Sequence, residues 1–433
     1  MLSRLKWVLP SLLVFVAGQP VHCDGVVPRL RVGLLTHTES VRFSGANGLS
    51  VGCLPGEQVV CSVPVGETWE AQISQAGLKL IRADGSEAAT VHSVICLAPP
   101  EGGTVTIQGI YGHWDERTDR DYRGVIEIRH DNAGRLSVIN VVDVETYLRG
   151  VVSSEMPATY PLAALQAQAV AARGQALMKA GRHAKEGFDL CATQHCQVYG
   201  GATSEALRSD EAVVSTRGQF LVYNGRLADT LYASTCGGHT ANSEDYWPQM
   251  APVPYLRAQP DFEPDDNVEY TFPLSETQLE LYLKYAPRVN CNQPRYAKSD
   301  KIRWWMVVPR EEMEQKLRET VGDFGELLNI RVTDRADSGM VRKLVVIGTR
   351  KLVPVVGGEE VRKALAGLQS ASFAIKSYQG PDEMPVVFVI WGAGWGHQVG
   401  MCQVGAAGLA HKGWDYEQIL SKYYRGCNLE RRY

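Results

Sequence analysis

Short runs that mix apolar and polar positions at a period of two dominate the first third of the chain. LRVGLLT, TVTIQGIY, VIEIRH and LSVINVV, each bounded by Gly, Asp or Asn, predict β-strands between about Val27 and Asn140. The pattern then changes. VETYLRGVVSSE predicts a short helix that Pro157 stops behind Glu155, because proline disfavours helical geometry in the residue before it. From Pro161 the run PLAALQAQAVAARGQALMKAG predicts a second helix, with proline near its first position, high alanine propensity and a stop at Gly181. GQFLVYNG and LADTLYAS flank Asn224–Gly225, a hairpin signal. The proline- and acid-rich APVPYLRAQPDFEPDDN reads as a linker. Beyond it, TFPLSETQLELYLKYA, REEMEQKLRETVG, IRVTDR and KLVVIGT combine helix and strand periods. The fold class is therefore α+β, a β-rich part with helices that carry the chemistry plus an inserted second α+β domain.

Length and charge narrow the partners. The chain has 433 residues, enough for two or three domains, and a formal charge of −4 offers no electrostatic case for nucleic acid or an anionic membrane. Arg4 and Lys6 precede WVLPSLLVFVAG, which is short for a bilayer span and suits a signal-peptide core. Export to the periplasm or cell surface follows, with an uncleaved N-terminal anchor as the alternative. Ten cysteines in an exported chain can form disulfides. Cys53 and Cys61 bracket a hairpin-like segment, and Cys402 can pair with Cys427.

Glu155 is the leading candidate for proton transfer. Val151, Val152 and Met156 flank it, and a carboxyl in apolar surroundings tends to keep its proton, as a general acid must; a solvated glutamate at a helix end is the plainer alternative. On the next helix Gln166 and Arg173 share a face with Ala169, and Gln168 and Arg173 are candidate substrate contacts. Arg173 can hold an anion or a carboxylate. In CATQHCQ, Cys191, His195 and Cys196 lie within six residues, and Cys236 and His239 follow in TCGGHT. Cys191, His195, Cys196 and His239 are the expected zinc ligands, while a Cys191–Cys196 disulfide explains the same spacing. Gly237 and Gly238 allow tight turns that let Ser234, Ser243 and Asp245 point into a cleft, and Tyr232 and Trp247 offer flat faces to sugars. His397 and Gln403 lie in a second glycine-rich stretch, GAGWGHQVGMCQVGA.

VVDVETYLRGVVSSEMP, ALQAQAVAAR, CATQHCQVYGG, STCGGHTANSEDYW and GWGHQVGMCQVGAAGLAHKGWDYEQILSKYY resemble, in this order, the SpoIID family of bacterial cell-wall proteins, which includes the LytB amidase enhancers. The resemblance runs from about Leu30 to the C-terminus. It implies a lytic transglycosylase acting on peptidoglycan glycan strands stripped of stem peptides, with Glu155 as the catalytic acid. The alternative it leaves open is a noncatalytic glycan-binding enhancer of an N-acetylmuramoyl-L-alanine amidase. At the position of Cys402 the family commonly has serine, and some members carry zinc through the segment matching Cys191–Cys196. The expected organisation is a signal peptide at 1–24, a β-rich part at 25–140, a catalytic core at 141–265, an inserted domain at 266–384 and a return to the core at 385–433. One groove holding Glu155, Arg173 and the Gly396–Gln403 loop is expected with it.

Overall fold

The computed structural model describes residues 25–54, 58–111, 117–262, 270–286 and 288–433. The expected signal peptide at 1–24 lies outside them. Among the described residues no helix is long and apolar enough to cross a membrane. The chain forms two compact units: unit 1 holds residues up to Thr159, Gln168–Asp229 and Leu429–Tyr433, and unit 2 holds Tyr160–Ala167 and Thr230–Asn428. The boundary at Thr230 falls inside the 141–265 stretch that the sequence reading kept together.

Unit 1 is built on two sheets. The larger has seven strands, in the order Leu190–Cys191, Arg29–Thr38, Leu136–Asp143, Val125–His130, Val94–Ala98, Leu49–Leu54 and Gln58–Val63. Its strand Leu136–Asp143 is buried over all but its last residue, which explains why LSVINVV reads as a nearly unbroken apolar run. That strand feeds directly into helix α1 (Val144–Glu155). Asp143 caps the helix by accepting from the Thr146 amide at 3.0 Å, as an N-cap carboxylate does. Met156 is extended and buried, so α1 ends where Pro157 requires it. Gly150 is needed inside α1, since a Cβ there would stand 2.8 Å from the Gly201 carbonyl oxygen and 2.7 Å from the Tyr199 ring.

Helix α2 (Leu162–Lys179) starts in unit 2 and ends in unit 1. Its alanines at 164, 167, 169, 171, 172 and 176 have no exposed surface, so alanine here serves close packing as well as propensity. Arg173 is fully buried. Its guanidinium donates to both Glu145 oxygens, at 2.8 and 2.9 Å, and to the Gln219 carbonyl at 3.2 Å. Tyr433 donates to the same carboxylate at 2.6 Å. A side chain with no exposed surface has none to offer a polysaccharide. The structure thus corrects two readings of Arg173, as a surface contact and as a holder of Glu155: it holds Glu145.

Unit 2 has two three-stranded antiparallel sheets, Arg303–Pro309/Pro385–Ala393/Phe373–Gln379 and Leu327–Arg335/Val341–Gly348/Leu352–Val356. Trp304, Met313, Leu317, Phe324, Phe373 and Phe388 belong to their common core. The supposed linker is part of this unit: Leu256, Gln259 and Asp261 are buried, so proline and acid content misled there. The expected hairpin forms at Asn224–Gly225, both with positive φ, but its second strand is only Arg226–Leu227. Tyr232–Ala233 pairs instead, in parallel, with Met401–Cys402.

Removing one partner of a buried ion pair strands the other, which typically costs about 3–5 kcal/mol. Arg173→Met should therefore lower the unfolding free energy by about that amount in urea titrations, whereas the surface change Arg208→Met should alter it by less than about 0.5 kcal/mol.

Candidate functional site around Glu155 and the glycine loops

Glu155 closes α1 and is half-buried. Val151 and Val152, one turn before it on α1, have no exposed surface. One carboxylate oxygen, Oε1, accepts from the Val198 amide at 2.8 Å. Val198 belongs to the loop after Cys191, and that loop is fixed on both sides of it. Gln197 is buried; it accepts from the Tyr147 hydroxyl at 3.1 Å and donates to the Ala172 carbonyl and to Gln175 at 3.2 and 3.1 Å. The Tyr199 hydroxyl donates to Asn140 at 2.8 Å, and its ring lies 4.8 Å from Tyr147. Burial pushes the Tyr147 and Tyr199 phenols well above their ordinary range, so both remain neutral donors.

The same loop carries a cluster of soft donors. His183, Cys191, His195 and Cys196 place one ligand atom each within 4.8 Å of all the others. His195 Nδ1 is 3.2 Å from His183 Nε2, 3.6 Å from the Cys191 sulfur and 3.8 Å from the Cys196 sulfur. His183 Nδ1 meets Glu186 at 2.7 Å, the carboxylate contact that sets the tautomer of a metal-binding imidazole. Within the thiol pair, the Cys196 S–H hydrogen-bonds to Cys191 and lowers its pKa, with Thr193 and His195 adding to the effect; the same contact and burial raise Cys196. Two imidazoles and two sulfurs at these separations suit a tetrahedral ion such as zinc.

His239 is not part of this group, which corrects the fourth expected ligand. It is buried in unit 2, where its Nδ1 contacts the Thr240 carbonyl at 2.7 Å and its ring lies 4.2 Å from Phe272; burial draws its pKa down to about 4. The residue missed was His183. Its signal was faint, a histidine eight positions before Cys191, returned to it by a turn whose ends hydrogen-bond, the His183 amide to the Asp189 carbonyl and the Phe188 amide to the His183 carbonyl, each at 3.4 Å. Lys179 was also missed. Burial and the nearby Arg182 lower its pKa, while Asp229, Cys196 and Glu155 pull the other way.

Apart from Gln168, the remaining candidates belong to unit 2. Three pairings bring their segments together: Tyr232 with Met401, Thr235 with Trp395 and Ala241 with Val399. His397 is half-buried, accepts from the Val399 amide at 3.0 Å and stands 5.1 Å from the Trp247 ring. Ser234 is half-buried and its carbonyl accepts from the Val404 amide at 3.1 Å; Tyr232 and Gln403 are buried. Gly237 and Gly238 both have positive φ, and a Cβ on Gly237 would lie 2.7 Å from the Ala393 carbonyl carbon, so their role is close backbone packing. Ser243 has no exposed surface, and Asp245 is buried against Asn242 and Arg342, its pKa raised by burial. Glu244 is paired with Arg257, whose hydrogen bond lowers its pKa. Gln168 is buried within α2. Gln398, unremarked in the sequence, braces the glycine loops: it donates to the Cys236 carbonyl at 2.6 Å and accepts from Ser372 at 2.9 Å.

No disulfide links the described cysteines, so the expected Cys53–Cys61 clip and Cys402–Cys427 pair are absent among them. In the first hairpin Cys61 lies opposite Val51 and Cys53 opposite Gln58, and the Cys402 sulfur instead accepts from the Cys236 amide at 3.2 Å.

Comparisons with known proteins match this part of the chain. A family described as "Stage II sporulation protein" matches residues 132–223, the segment that holds α1, α2 and the Cys191–Val198 loop. A domain of unknown function, DUF8618, matches 241–400. An amidase enhancer of Bacillus subtilis is 28% identical over 291 residues, 65% of this chain, and the match spans 40% of that longer protein. Stage II sporulation protein D of the same organism is 28% identical over 303 residues, 66% of this chain and 74% of its own length. An uncharacterized protein of Brachyspira hyodysenteriae is 30% identical over 294 residues, 67% of this chain and 68% of its own. With the family segment coinciding with the helix pair and loop around Glu155, and with relatives matched over two thirds of its length, the chain belongs to the SpoIID family.

Proposed function

We propose that this protein acts on the bacterial cell wall as a lytic transglycosylase, cleaving the β-1,4 bond between N-acetylmuramic acid and N-acetylglucosamine in peptide-stripped glycan strands. The observation that carries the reading is Glu155, half-buried, one turn after the buried Val151 and Val152 and held by the Val198 amide. The carboxyl donates its proton to the glycosidic oxygen as the bond to the anomeric carbon breaks. The resulting carboxylate takes the proton of the muramoyl C6 hydroxyl while that oxygen bonds to the anomeric carbon. The products are a 1,6-anhydro end and a free 4-hydroxyl, and Glu155 is protonated again. One carboxyl therefore serves both halves, unlike ordinary glycoside hydrolysis, which uses two. Glu244 and Asp245 are poor second carboxylates, since each is engaged by an arginine.

His397, Ser234, Tyr232 and Gln403 are assigned to sugar binding. His183, Cys191, His195 and Cys196 would hold zinc, whose contribution is to fix the loop that orients Glu155 rather than to activate water. Export to the cell surface or periplasm fits this substrate. The similarity to an amidase enhancer supports a second reading, noncatalytic binding of glycan that stimulates a cell-wall amidase.

Two outcomes are expected. Glu155→Gln should slow release of anhydro products from purified peptide-free strands by about 10²–10⁴-fold while strand binding persists; an unchanged rate would shift the function to the enhancer reading. In metal analysis, His183→Ala and Cys196→Ser should each lose about one zinc per chain relative to wild type, and His239→Ala none. Equal zinc in the wild type and the first two variants would reject the ligand set.

A further inference from the structure

Unit 2 contains a second group of metal-ligand side chains in a place where the proposed chemistry has no use for it. Cys236, Asp261, Cys291 and Cys402 are all buried, and their ligand atoms lie within 4.8 Å of one another. The Cys236 and Cys291 sulfurs are 3.8 Å apart, and the Cys236 sulfur is 3.4 Å from Asp261 Oδ2. Two sulfurs bound to one ion at about 2.3 Å and a tetrahedral angle stand about 3.8 Å apart, and a sulfur and a carboxylate oxygen about 3.6 Å. A disulfide would bring two sulfurs to about 2.05 Å and leave the third thiol and the carboxylate unexplained.

The Cys402 sulfur sits where a thiolate is favoured. Backbone amides of Cys236 and Gly405 both donate to the Cys402 sulfur at 3.2 Å, and the Gly238 amide donates to the Cys236 sulfur at 3.4 Å. Cys402 caps the helix Gln403–His411, so the amides at the start of that helix favour negative charge on its sulfur. Asp261 has no exposed surface, and the hydrogen bonds it accepts come from neutral donors: the Tyr423 hydroxyl at 2.7 Å, the Cys291 amide at 3.1 Å and the Cys236 thiol. A carboxylate buried this deeply calls for a cation. Tyr423 and the Cys291 amide orient it as outer partners orient a metal-bound carboxylate. A Cβ on Gly405 would meet both Asp261 oxygens at 2.8 Å, so glycine there keeps the carboxylate's place open.

We infer that Cys236, Asp261, Cys291 and Cys402 form a second, structural zinc site with three sulfur ligands and one oxygen, separate from the His183 cluster. Binding displaces the three thiol protons to solvent and leaves no coordination position for a substrate. The ion ties the loop after Tyr232–Ala233 to the start of the helix Gln403–His411, segments that carry Ser234 and Gln403.

The test begins with the full-length chain carrying Cys191→Ser and Cys196→Ser, which breaks the first cluster. Elemental analysis should still find about one zinc per chain, and adding Cys291→Ser should remove it and lower Tm. Should either variant fail to fold, anomalous diffraction from wild-type crystals at the zinc edge decides, with a peak expected about 2.3 Å from all three sulfurs. No zinc in the folded double variant, no peak among these sulfurs, or a Cys236–Cys291 disulfide in nonreduced peptides would overturn the inference.

Discussion

The chemistry proposed for this protein hangs on one hydrogen bond, from the Val198 amide to the Glu155 carboxylate. A backbone donor can orient a carboxyl only if the backbone itself is held. Here Gln197 and Tyr199, the residues on either side, are buried and bonded to α1, α2 and the strand Leu136–Asp143. Two residues earlier, Cys196 belongs to the His183 cluster. The loop is therefore pinned from within by side chains and from outside by a set of soft donors, and the acid inherits its rigidity.

Beneath the site, the helix pair is locked by charge in the core. Glu145 and Arg173 form a two-point pair, and Tyr433, in the Leu429–Tyr433 segment that returns to unit 1, closes it. Such a pair adds little net stability over apolar packing, but it penalises any other register of α1 against α2 because a shift would strand a buried charge. Unit 2 applies the same logic with sulfur and carboxylate. Its cysteines come from segments distant in sequence, and their convergence fixes the glycine loops where backbone approach is too close for side chains.

Much of this was legible in the sequence where the cause is local. Period-two runs marked the strands, Pro157 marked the end of α1, and Asn224–Gly225 marked a turn, because each reflects backbone preferences of neighbouring residues. Ordered motifs identified the family. What was not legible depends on tertiary pairing. Arg173 was read as a partner for Glu155 or for substrate, yet Glu145, which starts the same helix, is the carboxylate it meets; helix rotation decides between them. His183 escaped notice because the fold-back of the 183–189 turn, not a ligand-motif spacing, carries it to Cys191. Asp261 was hidden in a proline-rich stretch whose composition suggested exposure, although its burial beside three cysteines gives that stretch its place.

The central claim is that Glu155 drives an internal attack rather than the addition of water, and isotope labelling separates the two. Peptide-free glycan strands digested by the purified protein in water enriched in heavy oxygen, then analysed by mass spectrometry, report where the new bond at the anomeric carbon comes from. The account predicts 1,6-anhydro ends, one water lighter than hydrolytic ends and free of label. Labelled reducing ends would show hydrolysis, and intact strands would show that Glu155 does not act as an acid on this substrate; either result would contradict the account.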